Sequence, residues 1–319
     1  MSLKIRMYLL LAVLFGIIYA IITVLGTAMG INNFYFYLGI SLLLMFVQYM
    51  IGPKIVEWSM RVKYVSAEEA PDLHQMIAEL AQKAGIPKPK VGISETALPN
   101  AFAFGNSLKS GRVCVTRGIM GLLNKEELKA VLGHEISHLK NRDVLTITIL
   151  SVIPMILYRI AWHTLWYGGD RRREGGANTA LIGIVAFVFY FITNLLILYA
   201  SRIREYFADK GSMELGNKSS ALASALYKLV YGSARTDKES LRSVEGLKAF
   251  FVNDPSRAMS EIRELSQIDL DKSGTIDMNE LRAFREKSIK LSFGDKLMEI
   301  LSTHPNMLKR IKHLSTYTL

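Results

Sequence analysis

A mainly α, multi-pass membrane protein with a small α+β domain is the fold class this sequence predicts, on three observations. Charge is crowded out of three long stretches in a chain of 319 residues that is 50 % hydrophobic and has a positive mean hydropathy. The run Lys125 to Lys140 is helix-compatible and carries His134 and His138, four residues apart. Two short strand-like runs, Lys90 to Ser94 and Arg112 to Thr116, precede it.

Met7 to Pro53 contains no Lys, Arg, Asp or Glu, and Gly30-Ile31-Asn32-Asn33 divides it into two pieces. Each piece has roughly the 20 residues that a bilayer span requires. A signal peptide would have a far shorter apolar region and no second span directly after it. The flanking Lys4, Arg6, Lys54, Arg61 and Lys63 argue for the cytoplasmic side. The net charge of +11 is spread near these boundaries without an aromatic-interleaved groove, so anionic lipid headgroups are the expected counter-charge and nucleic acid is not. The single cysteine, Cys114, cannot form an internal disulfide, which agrees with a reducing compartment. It is expected to be a small, half-buried strand residue rather than a nucleophile.

Ala67 to Ala84 reads as an amphipathic helix with Leu73, Ile77 and Leu80 on one face, closed by Gly85 and Pro87. After the first strand, Leu98 to Gly105, a turn from Asn106 to Gly111 and the second strand form a hairpin. An extended substrate can add to an exposed strand through main-chain hydrogen bonds. Asn100, Ala101, Phe102 and Ala103, running on to Phe104, are the candidate edge, with an ordinary core strand as the alternative.

His134-Glu135-Ile136-Ser137-His138 follows, a His-Glu-x-x-His motif. Histidines four apart share a helix face and can reach one zinc ion, and Glu135 is placed to take a proton from a water that the metal acidifies. Asn141 and Val144 stand where a metzincin needs Gly and His, so the third ligand must come from further on. Glu205 supplies it best. Asp209, one turn later on the same face, would hold a ligating imidazole. Two solvent-facing carboxylates are the alternative. This ligand set describes a zincin of the gluzincin type.

Between these motifs lie Val144 to Tyr167, interrupted by Pro154 and Arg159, and the uncharged Gly175 to Ser201. His138 and Glu205 must meet at one ion, so residues 144–200 must enter the membrane and return, giving four spanning or embedded helices. Arg159 would cost several kcal/mol inside a span unless it snorkels, pairs or lines a water-filled cavity. The arginines of Asp170-Arg171-Arg172-Arg173-Glu174 oppose a full crossing, so either the charge rule yields locally or the pair of segments does not cross completely.

Asp269 to Glu280 is an EF-hand-like loop inserted between helical segments Ser256 to Ile268 and Met278 to Ile289. Asp269, Asp271, Ser273 and Asp277 supply oxygens at loop positions one, three, five and nine. Thr275 gives its carbonyl, Glu280 both carboxylate oxygens, and Gly274 the sharp turn. Calcium is the implied ion, with an acidic inter-helix turn as the alternative. No second loop is visible to pair with it.

The paired N-terminal spans, Asn100-Ala101-Phe102-Ala103, Gly133-His134-Glu135-Ile136-Ser137-His138, the hydrophobic hairpin, Ser201-Arg202 with Glu205 and Asp209, and Thr303-His304-Pro305 with Arg310 resemble the HtpX-type membrane zinc endopeptidases, relatives of the C-a-a-X prenyl endoproteases. The resemblance covers nearly the whole chain. It implies His134, His138 and Glu205 as ligands of one zinc ion, Glu135 as catalytic base, and His304 near the active site, where it could stabilise an oxyanion. A surface histidine capping a helix is the alternative for His304. It also implies cleavage of misfolded or damaged membrane proteins, with the site facing the cytoplasm from the cell membrane.

The expected organisation is an N-terminal transmembrane hairpin (1–53), a first peptidase segment (54–143), a second hydrophobic hairpin (144–200), a second peptidase segment (201–255), the EF-hand-like insertion (256–290) and a C-terminal peptidase segment (291–319). A prenyl-protein endoprotease is the enzymatic rival, disfavoured because such enzymes usually have more spans. A calcium-responsive, non-catalytic membrane adaptor is the rival from another class. The complete His, Glu, His, Glu set argues against it.

Overall fold

A computed structural model describes residues 34–143, positions 146, 150, 153, 154, 157, 158, 160, 161 and 164, residues 176–234, and residues 261–317 except 263, 264, 266, 290 and 291. The first expected span, Lys4, Arg6, Arg159, the 170–174 loop and most of the 256–268 helix lie outside the described residues.

The described elements run in the order α1 (Phe34–Ser59), β1 (Val62–Tyr64), α2 (Pro71–Ala84), β2 (Lys90–Ser94), β3 (Ala101–Phe104), a 3-10 turn (Leu108–Ser110), β4 (Arg112–Thr116), α3 (Arg117–Leu122), α4 (Lys125–Lys140), α5 (Gly176–Glu214), α6 (Ser219–Ala234), α7 (Met278–Glu286), α8 (Phe293–Ile300) and α9 (Met307–Ser315). The protein is mostly helical with one small sheet. The chain divides into two compact units, Met1–Ile51 with Leu145–Ile203 and Gly52–Val144 with Arg204–Leu319.

In the first unit, Leu150, Ile153, Leu157 and Ala161 pack with Ala186 and Ala200 of α5. Among the described residues one helical stretch, Leu181–Glu214, is long and apolar enough to cross a membrane, with mean hydropathy 2.5. Its large side chains Leu181, Ile184, Phe187 and Phe191 are exposed.

In the second unit the sheet order is β1-β2-β4-β3, with β2 and β4 parallel and the outer pairings antiparallel. β3 is therefore an edge strand. α2 starts at Pro71, not at Ala67, because proline's fixed φ suits the first helical position, where no N–H is needed. Leu73, Ile77 and Leu80 of α2 join Val113, Val131, Ile136, Leu226 and Ile311 in one core, which also takes Ile276, Leu281 and Phe284 from the 269–286 region. Cys114 is fully buried rather than half-buried, because Met60, Phe102 and Phe104 close over it, and burial pushes its thiol pKa up.

α4 opens with a reciprocal cap: Asn124 Oδ1 accepts from the Glu127 N–H, and Glu127 Oε2 accepts from the Asn124 N–H, both at 2.9 Å. The buried Glu127 also accepts from Lys228 and Ser224, which ties α4 to α6. Two glycines let α4 and α5 approach closely. A Cβ on Gly133 would stand 2.8 Å from Ser212 Oγ, and one on Gly211 would stand 2.7 Å from Ser137 Cβ. That close crossing puts His134 and His138 against Glu205 and Asp209.

Candidate functional site

His134 and His138 point their Nε2 atoms toward each other at 3.0 Å. The Glu205 carboxylate closes the triangle, Oε2 lying 3.5 Å from His134 Nε2 and Oε1 3.5 Å from His138 Nε2. Ligand atoms ~2.0–2.1 Å from a tetrahedral zinc ion stand about 3.3 Å apart, so these donors fit one ion without rearrangement. Both Nδ1 atoms are engaged elsewhere. His134 Nδ1 lies 2.9 Å from Asp209 Oδ1, and His138 Nδ1 lies 2.5 Å from Asp143 Oδ2. Each carboxylate draws the proton to Nδ1 and leaves the Nε2 lone pair for a metal.

The two carboxylates have cationic partners. The buried Arg310 guanidinium reaches Asp209 with Nε and Nη2, and its Nη1 lies 3.1 Å from Glu205 Oε2. Burial alone would lower the Arg310 pKa, but Asp209 and Glu205 raise it and keep the group charged. Burial likewise acts to lower the His134 pKa, and the hydrogen bond to Asp209 with that to Glu205 outweighs it, for a net rise. Arg204 Nη2 lies 2.9 Å from Asp143 Oδ1.

Glu135 is buried, and burial raises its pKa above the usual carboxylate range against the pull of His138 and His134. Its carboxylate accepts from the Ala103 main chain, which joins it to β3. Ala101, Phe102 and Ala103 lie in that edge strand; Asn100 stands just before it. Asn100 is engaged with the neighbouring strand, its N–H donating to Thr116 Oγ1 and its carbonyl accepting from the Thr116 N–H. His304 precedes α9 and is 5 % exposed, so it is not a surface residue; its Nδ1 lies 3.4 Å from Glu205 Oε2. Neither ring nitrogen makes a hydrogen bond among the described residues.

In the 269–280 loop, the carboxylates of Asp269, Asp271 and Glu280 supply atoms within 4.8 Å of one another. Asp269 accepts from the N–H groups of Ser273 and Gly274 and from the Tyr227 hydroxyl of α6. The Ser273 and Thr275 hydroxyls bond to each other at 2.9 Å, Asp277 caps α7, and Gly274 has φ 78°.

Asp143, Arg204 and the pairing role of Arg310 were not identified from the sequence. Asp143 carried a signal, since the second histidine also needs an Nδ1 partner, but five residues along a helix is the wrong spacing for one.

A family model described as Peptidase family M48 matches residues 67–318. A "Protease HtpX homolog" of Methanothermobacter thermautotrophicus is 54 % identical over 229 residues, 72 % of this chain and 86 % of that protein. A "Protease HtpX homolog 2" of Methanosarcina acetivorans is 38 % identical over 271 residues, 84 % of this chain and 80 % of the relative. The crystal structure of S. mikatae Ste24p matches 95 % of this chain and 62 % of that chain, under two thirds of its length, with TM-score 0.49 and 14 % identity.

Proposed function

Because this chain belongs to peptidase family M48 and is a metalloendopeptidase, we propose that it is a membrane-bound enzyme that hydrolyses peptide bonds with one zinc ion held by His134, His138 and Glu205. The observation that carries this is the pair of imidazoles whose Nδ1 atoms are each taken by a carboxylate while both Nε2 atoms converge with Glu205. When bound, zinc supplies Lewis acidity for the scissile carbonyl and acidifies the attacking water.

The remaining chemistry belongs to the chain. Glu135, with its raised pKa and its tie to Ala103, takes the proton of the attacking water and passes it to the leaving amine. The outward edge of β3, at Ala101 to Ala103, pairs with an extended substrate through the main chain, so recognition needs little side-chain selectivity. His304, an imidazole without a hydrogen bond beside Glu205, donates to the oxyanion as it develops. Asp209 keeps His134 oriented.

The setting is the cell membrane, with spans in 1–53 and 144–200 and the peptidase segments facing the cytoplasm. Support comes from the uncharged run Met7 to Pro53 and the exposed apolar side chains of α5. Substrates are misfolded or damaged membrane proteins, cut as quality control. Within the insertion 256–290, Asp269, Asp271, Ser273, Thr275, Asp277 and Glu280 hold calcium. Three converging carboxylates and a left-handed glycine at the sixth loop position support that site.

Cleavage of casein by detergent-purified protein, with and without zinc, tests the proposal against Glu135→Gln. Zinc-dependent cutting absent from the variant is expected. If both proteins bind zinc and neither cuts casein or itself, general proteolysis is wrong, and a narrow-specificity prenyl-type endoprotease or a calcium-responsive adaptor takes its place.

A further inference from the structure

We infer that Asp143 and Arg204 are positioning residues for His138, a second charged relay behind the metal centre; this rests on the zinc reading above. Each imidazole of the centre has a carboxylate on Nδ1, and each carboxylate has an arginine behind it. One line runs Arg310, Asp209, His134, with contacts of 2.6 Å and 2.9 Å. The other runs Arg204, Asp143, His138, with contacts of 2.9 Å and 2.5 Å. The two lines do the same work from opposite histidines: the arginine keeps the carboxylate ionised, and the carboxylate fixes the ring and leaves Nε2 basic.

The backbone is bent to build the second line. Asp143 is five residues beyond His138, and on a continuing α-helix it would point roughly 140° away from it. α4 instead ends at Lys140 with Asn141 as its cap, and Arg142 adopts φ 55°. A left-handed conformation is strained for a non-glycine residue, and here it turns Asp143 back to the His138 ring. Arg204 bears a cost too. Its side chain is buried, and Nε and Nη1 have no hydrogen-bond partner among the described residues, so the direct contact with Asp143, with the charge of Glu205 beside it, makes a buried guanidinium tolerable there. The pair also stands beside the two points where the chain leaves and re-enters the peptidase unit, at Val144 and Arg204.

The test is Co2+ titration of metal-free full-length protein in detergent, read by visible absorption and by chelator competition. Asp143→Asn is expected to bind Co2+ about 10–100-fold more weakly, with shifted absorption bands. Arg204→Gln is expected to lose about tenfold, at the lower end of that range, and Arg204→Lys to recover part of the loss. In the zinc enzyme the same variants lower kcat and leave KM unchanged. If Asp143→Asn does not fold, Asp143→Asn with Arg204→Gln, which leaves no unpaired buried charge, is measured instead with the same loss expected. Wild-type affinity and spectrum in the folded variant overturn the relay while leaving the zinc site intact. Failure of the wild type to bind Co2+ one to one overturns the zinc reading and the relay with it.

Discussion

The Arg310 guanidinium forks across Asp209, Nε to Oδ2 at 3.0 Å and Nη2 to Oδ1 at 2.6 Å, from a position 101 residues further along the chain. Its third nitrogen serves Glu205, so one planar cation neutralises two buried carboxylates. A lysine offers a point charge in place of that fork. Arg310→Met is expected to destabilise the metal-free protein by about 3–5 kcal/mol, the range for a buried charge stripped of its partner. Arg310→Lys is expected to cost less. Thermal unfolding in detergent measures both, and wild-type stability in Arg310→Met would show that the carboxylates do not depend on it.

The pKa of Glu135 is raised, first by burial and then by Glu205, against the histidines. A group whose folded pKa is raised stabilises the fold below its unfolded value, near 4.5, and loses that contribution as pH rises. At pH 7 an ionised Glu135 therefore costs the metal-free fold stability. Glu135→Gln is expected to melt higher than wild type at pH 7, with the gap closing as pH falls toward about 4. An equal gap at both pH values would contradict the assignment.

His304 faces Glu205 and makes no hydrogen bond among the described residues. His304→Ala is expected to retain one zinc per chain and the wild-type KM while kcat falls about 10²-fold, as for the loss of one oxyanion donor. Metal analysis alongside steady-state kinetics separates this from a ligand role, in which zinc would be lost.

Glu280→Gln is expected to abolish one-to-one calcium binding, measured by calorimetry on the zinc-loaded protein. A route from this loop toward the catalytic centre exists: Lys312 of α9 donates to the carbonyls of Phe284 and Arg285 at the end of α7, and α9 also carries Arg310. Calcium is expected to change casein turnover in the wild type and not in the variant. Identical calcium responses in both would rule out regulation through this loop.

What was legible in the sequence was local. The helix-compatible run Lys125 to Lys140 matches α4, and the four-residue spacing of Glu205 and Asp209 fixes their shared face. β1 was not anticipated, because Val62 to Tyr64 is three residues long and half exposed and exists through its pairing with β2. The parallel pairing of β2 with β4 crosses the intervening β3 and leaves no periodic trace. Asp143 was hidden by its spacing, since a left-handed turn at Arg142 is what brings it back to His138. Arg310 stood in a recognised motif, but its partners lie about a hundred residues upstream. The burial of His304 likewise depends on the fold around it.

The order in which these groups occur along the chain has a consequence for biosynthesis. A ribosome makes the histidines first, Glu205 and Asp209 next, and Arg310 last of all. Until α9 exists the two carboxylates lack the cation that makes their burial tolerable. Catalytic competence thus belongs to the finished molecule.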